Sequence, residues 1–110
     1  FEGCPRAWLD SVEAMRGALA DAVRAGGFTL LEVVARPFSP HGVTACAIVG
    51  ESHLALHSWP EEGRLFVDIA SCSSVESVRR ALDAIAAALP EGRIAVLDER
   101  VLGAPAPPAT

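Results

Sequence analysis

The sequence predicts an α+β fold: a two-layer sandwich in which two helices cover one face of a mainly antiparallel β-sheet. Two segments carry apolar residues at three- and four-residue spacing, which is typical of helices with one buried face. Between them lie four short β-rich segments joined by turns, and short connections favour antiparallel pairing. Two helices with one apolar stripe each suit one side of one sheet. The 110 residues correspond to one domain, which we place at residues 1–102.

The first helix is predicted at residues 5–25. Pro5 suits a first helical turn, and Gly26 and Gly27 would end the helix. Its apolar stripe consists of Trp8, Val12, Met15, Leu19 and Val23.

Four strands are predicted next, at residues 28–36, 43–49, 52–58 and 64–70. Loops rich in proline and glycine separate them. In the third strand, alternation places His53, Ala55 and His57 on one face, with Leu54 and Leu56 on the other.

A second helix is predicted to begin at a capping serine, Ser73 or Ser74, and to end at Leu89. Pro90 and Gly92 then break the chain before a last predicted strand at residues 93–101. Residues 103–110, rich in proline and alanine, are predicted to form a disordered tail.

Composition excludes several classes of function. The net charge is −5 with no basic block, which argues against a nucleic-acid partner. Three cysteines at these spacings form neither a disulfide framework nor a metal site, so we expect reduced thiols, no metal and a cytoplasmic location. We find no signal peptide and no apolar run long enough for a membrane span.

Chemistry concentrates in residues 51–61, where Ser52 lies between Glu51 and His53. A serine hydrolase would use His57 or His53 as its base, but no G-x-S-x-G elbow is present and His57 faces away from Ser52 on an ideal strand.

The other chemistry is attack of the Ser52 oxygen on the carbonyl of Glu51, followed by elimination that breaks the chain and leaves a pyruvoyl group. It requires an oxyanion donor and a base, and Thr44 and His57 are the groups nearby. Gly50 would permit unusual backbone angles before the bond. The residues alone do not prove this reaction.

Five motifs, in this order and spacing, resemble the bacterial S-adenosylmethionine decarboxylase family of pyruvoyl enzymes. They are Phe38-x-Pro40-x-Gly42-Val43-Thr44, Glu51-Ser52-His53, His57-x-Trp59-Pro60-Glu61, Val67-Asp68-Ile69 and Cys72.

The resemblance implies self-cleavage between Glu51 and Ser52, giving a β chain of residues 1–51 and an α chain of residues 52–110. Ser52 would become the pyruvoyl cofactor, which forms a Schiff base with the substrate, and no metal is implied. Thr44 and His57 match processing residues, and Cys72 matches the catalytic proton donor.

The implied reaction converts S-adenosylmethionine to carbon dioxide and the decarboxylated aminopropyl donor for spermidine, a polyamine. Phe1 and Phe38 match the two aromatics that enclose adenine, and Glu61 matches the carboxylate that holds the ribose hydroxyls. The family also implies a homodimer of αβ units with its site near the interface. A strand precedes the position of Phe1 in the family, so we expect that strand to be missing here and Phe1 to be poorly fixed.

Departures from the pattern leave two alternatives open. Ser73 replaces a glycine after Cys72, and residues 64–66 are bulkier than usual. The chain is therefore also compatible with a pyruvoyl-dependent ornithine or arginine decarboxylase. It is further compatible with an unprocessed, inactive relative that acts as a binding or partner subunit. Cys4 and Cys46 are interpreted as structural, His41 and His53 as polar-surface or loop residues, and Asp68 is expected to have a buried partner.

Overall fold

The computed structural model describes residues 1–50 and 52–100. Its regular elements follow the predicted order of helix, four strands and helix, which confirms the α+β class. They are α1 (Arg6–Leu9), α2 (Val12–Gly26), β1 (Leu30–Pro37), β2 (Val43–Val49), β3 (Ser52–Trp59), a 3₁₀ turn (Pro60–Glu62), β4 (Arg64–Ala70) and α3 (Val75–Ala88).

The four strands form one antiparallel sheet in the order β1-β2-β3-β4. The β2–β3 ladder ends with Val49 opposite Ser52, and the β3–β4 ladder ends with Trp59 opposite Arg64. Strand β3, which carries the residues of greatest chemical interest, is therefore central and held on both sides.

The helices α2 and α3 pack on one face of this sheet, as predicted. The largest fully buried side chains there include Met15 and Leu19 of α2, Ile85 of α3, and Leu54 and Leu56 of β3. Burial of each such side chain stabilises the fold by about 1.5–3 kcal/mol.

The other side of the sheet, here called the open face, is not covered by a helix in the described part of the chain. Strand alternation and register place on it Glu32, Val34, Arg36, Thr44, Cys46, Ile48, His53, Ala55, His57, Phe66, Asp68 and Ala70. Several of these are exposed apolar residues, notably Val34, Ile48 and Phe66.

The first helix is not continuous, so the prediction of one helix at residues 5–25 is wrong. It breaks at Asp10 and Ser11, between α1 and α2. The Ser11 hydroxyl accepts a hydrogen bond from the Ala14 amide at 3.1 Å and caps α2. The Asp10 carboxylate accepts from the amide of Gly42 at 3.0 Å, so the break serves a tertiary contact.

The last predicted strand is also wrong over its described part. Arg93 forms a single bridge with Glu2, through backbone hydrogen bonds of 2.8 and 3.0 Å, and residues 94–100 form no strand. The side chains that suggested it are exposed; Val96 is 84% exposed. Val101 and the predicted tail at residues 103–110 lie outside the described residues.

Phe1 is well held, contrary to expectation. Its amino group donates to the Leu65 carbonyl at 2.8 Å, and its own carbonyl accepts from the Leu65 amide at 3.0 Å. Next to it the Cys4 amide donates to Gly63 at 2.9 Å. The first residues therefore run beside the start of β4.

Candidate active site

Ser52 is the first residue of β3 and is half-buried. Within the described residues, its hydroxyl makes one long contact, 3.5 Å to the Gly50 carbonyl, which is weak by ordinary criteria. The predicted special role of Gly50 receives no support: its φ is not positive, and an added Cβ would meet nothing closer than Thr29 at 4.0 Å. Glu51, the other side of the predicted cleavage bond, lies outside the described residues.

Ser52 and Cys72 line the same open cleft, whose volume is about 1170 Å³. Cys72 is exposed, in the loop between β4 and α3. Apolar side chains of β4 and α3 form much of the wall, including Ile69 and Val78. The structure thus brings together the predicted pyruvoyl precursor and the predicted proton donor.

Thr44 and His57 form a second group. They are paired directly across β2 and β3, and the Thr44 hydroxyl lies 3.0 Å from Nδ1 of His57. The His57 ring also lies against Phe66, with ring centroids 6.2 Å apart and the planes tilted by 51°. Both neighbours restrict the orientation of the imidazole.

The two groups are far apart within one chain. His57 lies five positions after Ser52 on the same strand, so at about 3.3 Å per residue they are separated by roughly 16 Å. That is well beyond hydrogen-bond reach. Within one chain, therefore, His57 cannot act as a base toward Ser52, which excludes a serine hydrolase that uses His57 as its base.

Phe38 and Glu61 lie at the His57 end of the sheet. Phe38 directly follows β1 and is 55% exposed, and Glu61 is exposed in the 3₁₀ turn that follows β3. Neither lines the cleft that contains Ser52. The substrate-binding candidates thus share an end with Thr44 and His57.

The loop that carries Phe38 is tightly built. The Phe38 amide donates to the Gly42 carbonyl at 2.8 Å. Gly42 has φ +102°, and a Cβ there would meet the Ser58 carbonyl at 3.1 Å. Only glycine suits this position, because the φ value and the close approach both exclude a side chain.

Phe1 differs from Phe38 in its surroundings. Its ring is half-buried against the hydrophobic core and lines a second cleft, of about 950 Å³, with residues that include Trp59 and Phe66. As a result, Phe1 offers less free ring surface than Phe38.

Asp68 has a partner, but not a buried one. Its carboxylate lies 3.2 Å from Nε2 of His53, and the two side chains are 56% and 43% exposed. Sequence reasoning treated the two residues separately. The pair could have been anticipated only after the β3–β4 register was known, since Ala55 rather than His53 is directly opposite Asp68.

Sequence reasoning also missed a network behind the Phe38 loop. His41 lies 3.0 Å from the Arg6 guanidinium and 3.6 Å from the carboxylate of Asp10. Asp10 in turn holds the Gly42 amide. In the sequence, this network is indicated by the polar pair Asp10 and Ser11 at the end of a short helix. The pair was overlooked because the apolar helical spacing continues through it.

An ion pair borders the cleft. The Arg79 guanidinium donates two hydrogen bonds to the Glu99 carboxylate, at 3.0 and 3.1 Å, which raises the pKa of Arg79 and lowers that of Glu99. Away from the cleft, burial raises the pKa of the Cys4 thiol. A raised pKa leaves less of the reactive thiolate, which fits a structural cysteine.

Residues 1–50 and 52–100 contain no group of three or more His, Cys, Asp or Glu side chains able to hold a metal ion. No helix in that same part of the chain is both long and apolar enough to span a bilayer.

The fold and the cleft describe a small α+β protein, and comparison with known proteins gives its class, that of the decarboxylases. The family model for S-adenosylmethionine decarboxylase matches residues 1–99. The chain belongs to the S-adenosylmethionine decarboxylase family, which confirms the resemblance inferred from the motifs.

Individual relatives agree. The chain is 32% identical over 111 residues to an S-adenosylmethionine decarboxylase proenzyme of Acidithiobacillus ferrooxidans, covering 96% of this chain and 84% of that protein. It is 36% identical over 96 residues to the proenzyme of Methanococcus maripaludis, covering 87% and 79%.

A solved structure is also similar. The crystal structure of the adenosylmethionine decarboxylase from Aquifex aeolicus matches with a TM-score of 0.76 and 32% identity, over 84% of this chain and 76% of that one. Similarity at this level supports the two-layer α+β sandwich as well as the family.

Proposed function

We propose that the protein is a self-processing, pyruvoyl-dependent S-adenosylmethionine decarboxylase that releases carbon dioxide and forms the aminopropyl donor for spermidine. The observation that carries the proposal is the shared cleft of Ser52 and Cys72. The family membership and the word proenzyme in the relatives' names support it. On this proposal the protein acts in the cytoplasm, where its thiols stay reduced.

Maturation begins when the Ser52 oxygen attacks the carbonyl carbon of residue 51, and the peptide C–N bond gives way to an ester. Loss of the Ser52 Cα proton and cleavage of the Cβ–O bond then release the first fragment as a carboxylate. Water hydrolyses the resulting enamine through its imine tautomer, and ammonia leaves. The sum consumes one water molecule and leaves a pyruvoyl group at residue 52.

The residues near Ser52 fit such a group. A short keto amide occupies no more space than serine, and the half-buried Ser52 side chain already borders an open cleft. The pyruvoyl group supplies an electron sink for loss of the substrate carboxylate. Cys72 delivers a proton to the substrate α-carbon, a role suited to an exposed thiol beside the cleft.

Recognition of the substrate falls to side chains at the other end of the sheet. An exposed aromatic ring such as Phe38 can stack on adenine, and a half-buried one such as Phe1 can border it. The Glu61 carboxylate is exposed and can accept hydrogen bonds from two ribose hydroxyls.

The separation of these groups argues for a homodimer of αβ units. Thr44 and His57 lie roughly 16 Å from Ser52 along β3. A two-fold axis across the open face places one end of each sheet against the opposite end of its partner. The exposed Val34, Ile48 and Phe66 of that face become buried by the same contact.

Intact mass and decarboxylation test the proposal. We expect two fragments split between Glu51 and Ser52, the second lighter by one ammonia than a serine-terminated fragment. We expect carbon dioxide from S-adenosylmethionine and none from ornithine or arginine. Turnover of a basic amino acid alone would reject the substrate, and a permanently uncut, inactive chain would favour the binding-subunit alternative.

Complementation tests the shared site. Ser52→Ala and His57→Ala proteins are each expected to be inactive alone. Mixed dimers contain one site with Ser52 from one copy and His57 from the other, so random pairing restores about a quarter of the sites. Failure of the His57→Ala chain to be cleaved in the mixture would mean that each chain processes itself.

A further inference from the structure

The side chain of His53, which directly follows Ser52, contacts a residue of the neighbouring strand. Nε2 of His53 lies 3.2 Å from Oδ2 of Asp68, on the open face. The proposed chemistry uses neither residue. Because the pair borders the cleft of Ser52 and Cys72, its position calls for an explanation.

The register explains how the contact arises. His53 is opposite Ala70, and Asp68 is opposite Ala55, so the two side chains are diagonal neighbours on one face of β3 and β4. Long side chains reach across such diagonals. In the single chain both side chains are partly exposed, and one pair of this kind adds little to global stability. Its effect should therefore be local.

The start of β3 is where local support matters. In an uncut chain, residue 52 is held by the chain before it, and the Gly50 amide donates to the Thr29 carbonyl at 3.0 Å. Val49–Ser52 is the last pair of the β2–β3 ladder. A cut before Ser52 turns this position into a chain end, and chain ends fray at little cost.

We propose that His53 and Asp68 form a positioning pair that holds the new end of β3 on the sheet after cleavage. This inference rests on the proposed self-cleavage and adds residues that hold its product in place. The pair is one position from the reactive residue, and Asp68 is four positions before Cys72. It therefore fixes the reactive group of residue 52 relative to the thiol in the shared cleft.

Hydrogen exchange of the amides at residues 54–56 tests the pair. His53→Gln and Asp68→Asn are each prepared as cleaved protein and in the uncut Ser52→Ala background. In the cleaved protein, either change should speed exchange about threefold, the size expected for loss of one side-chain hydrogen bond. The double variant should be no faster than the single ones, and the uncut proteins should not change.

Kinetics supply the second readout. Loss of positioning should lower kcat severalfold while KM changes little, because neither side chain is among the groups proposed to recognise the substrate. Arg64→Gln is the matched control: it removes another exposed β4 pair, with Glu2 at 3.7 Å, and should leave exchange at residues 54–56 and kcat unchanged.

Other results overturn the inference in distinguishable ways. Equal acceleration in cut and uncut proteins would make the pair merely structural, and no acceleration in either would remove its role. If neither variant were cleaved while the wild type was, the pair would act before cleavage. An uncut wild-type protein would overturn both this inference and the proposed function.

Discussion

The Thr44 hydroxyl and Nδ1 of His57 lie 3.0 Å apart on neighbouring strands, while the serine they are predicted to process begins the far end of the strand that carries His57. The contact joins two directly opposed residues, so the sheet itself holds it. A prearranged donor and base of this kind needs no reorganisation at the moment of reaction. On our proposal it serves the second copy.

Thr44→Val should slow cleavage by about 10²-fold, the cost of losing one donor to a developing oxyanion. Valine keeps the β-branched shape that strands favour, so the fold should survive. A time course of fragment formation by mass measures the effect. Thr29→Val, at an exposed position before β1, is the control and should mature at the normal rate.

Cys72→Ala should still be cleaved but should lose about 10²- to 10⁴-fold in kcat, the usual contribution of a general acid. Cys46→Ala, on the open face away from the cleft, should retain turnover. Release of carbon dioxide from fully cleaved samples provides the comparison. Full activity of Cys72→Ala would show that another group protonates the product.

Ser58→Ala should destabilise the fold without preventing cleavage. The buried Ser58 hydroxyl accepts from the Val43 amide at 2.9 Å and donates to the Leu9 carbonyl at 2.6 Å. Leaving those groups unsatisfied costs about 1–3 kcal/mol. Urea unfolding in the uncut Ser52→Ala background measures the loss; an unchanged midpoint would contradict it.

Asp10→Ala should raise KM for S-adenosylmethionine severalfold and affect kcat less. Asp10 holds the Gly42 amide and lies near His41, so its loss loosens the loop that presents Phe38. Asp21→Ala, which removes only a surface pair with Arg24 on α2, is the control. An unchanged KM in the Asp10 variant would separate this loop from substrate binding.

Alkylation should distinguish Cys4 from Cys72. Burial raises the pKa of Cys4, so at any pH less of it is thiolate, and its modification should begin only at a higher pH. Cys72 is exposed and should react first with iodoacetamide. Peptide mapping after short exposures to iodoacetamide across pH 7 to 10 gives the order in which the two cysteines are modified. Early modification of Cys4 would contradict its burial.

The elements predicted well were those with a strong local signal. The alternation in β3 and β4 and the Ser74 cap of α3 each specify structure within a few residues. The break at Asp10 was missed because the apolar spacing continues through it, and its cause is a contact with Gly42, distant in sequence. The last strand failed because β-prone residues form a strand only where a neighbouring strand pairs with them.

In the candidate site, too, some features could be predicted from the sequence and others could not. Motif spacing led to Ser52 and Cys72, and the structure places both on one cleft. The distance from Ser52 to His57 follows from strand geometry alone. The His53–Asp68 contact required the register of β3 against β4, which single-sequence patterns do not supply.

The β2–β3 hairpin gives the proposed cut a consequence for folding. Only two residues separate Val49, the last residue of β2, from Ser52, the first residue of β3. Six residue pairs join these two strands. One fragment would keep α1, α2, β1 and β2, and the other β3, β4 and α3, so neither holds a complete layer. Refolding of the mature protein from denaturant becomes a bimolecular reaction, which fails on dilution. The reason is that the peptide connection that gave the two strands a high effective concentration is gone. The uncut chain should refold at any dilution, so the sheet is best assembled once, before the cut.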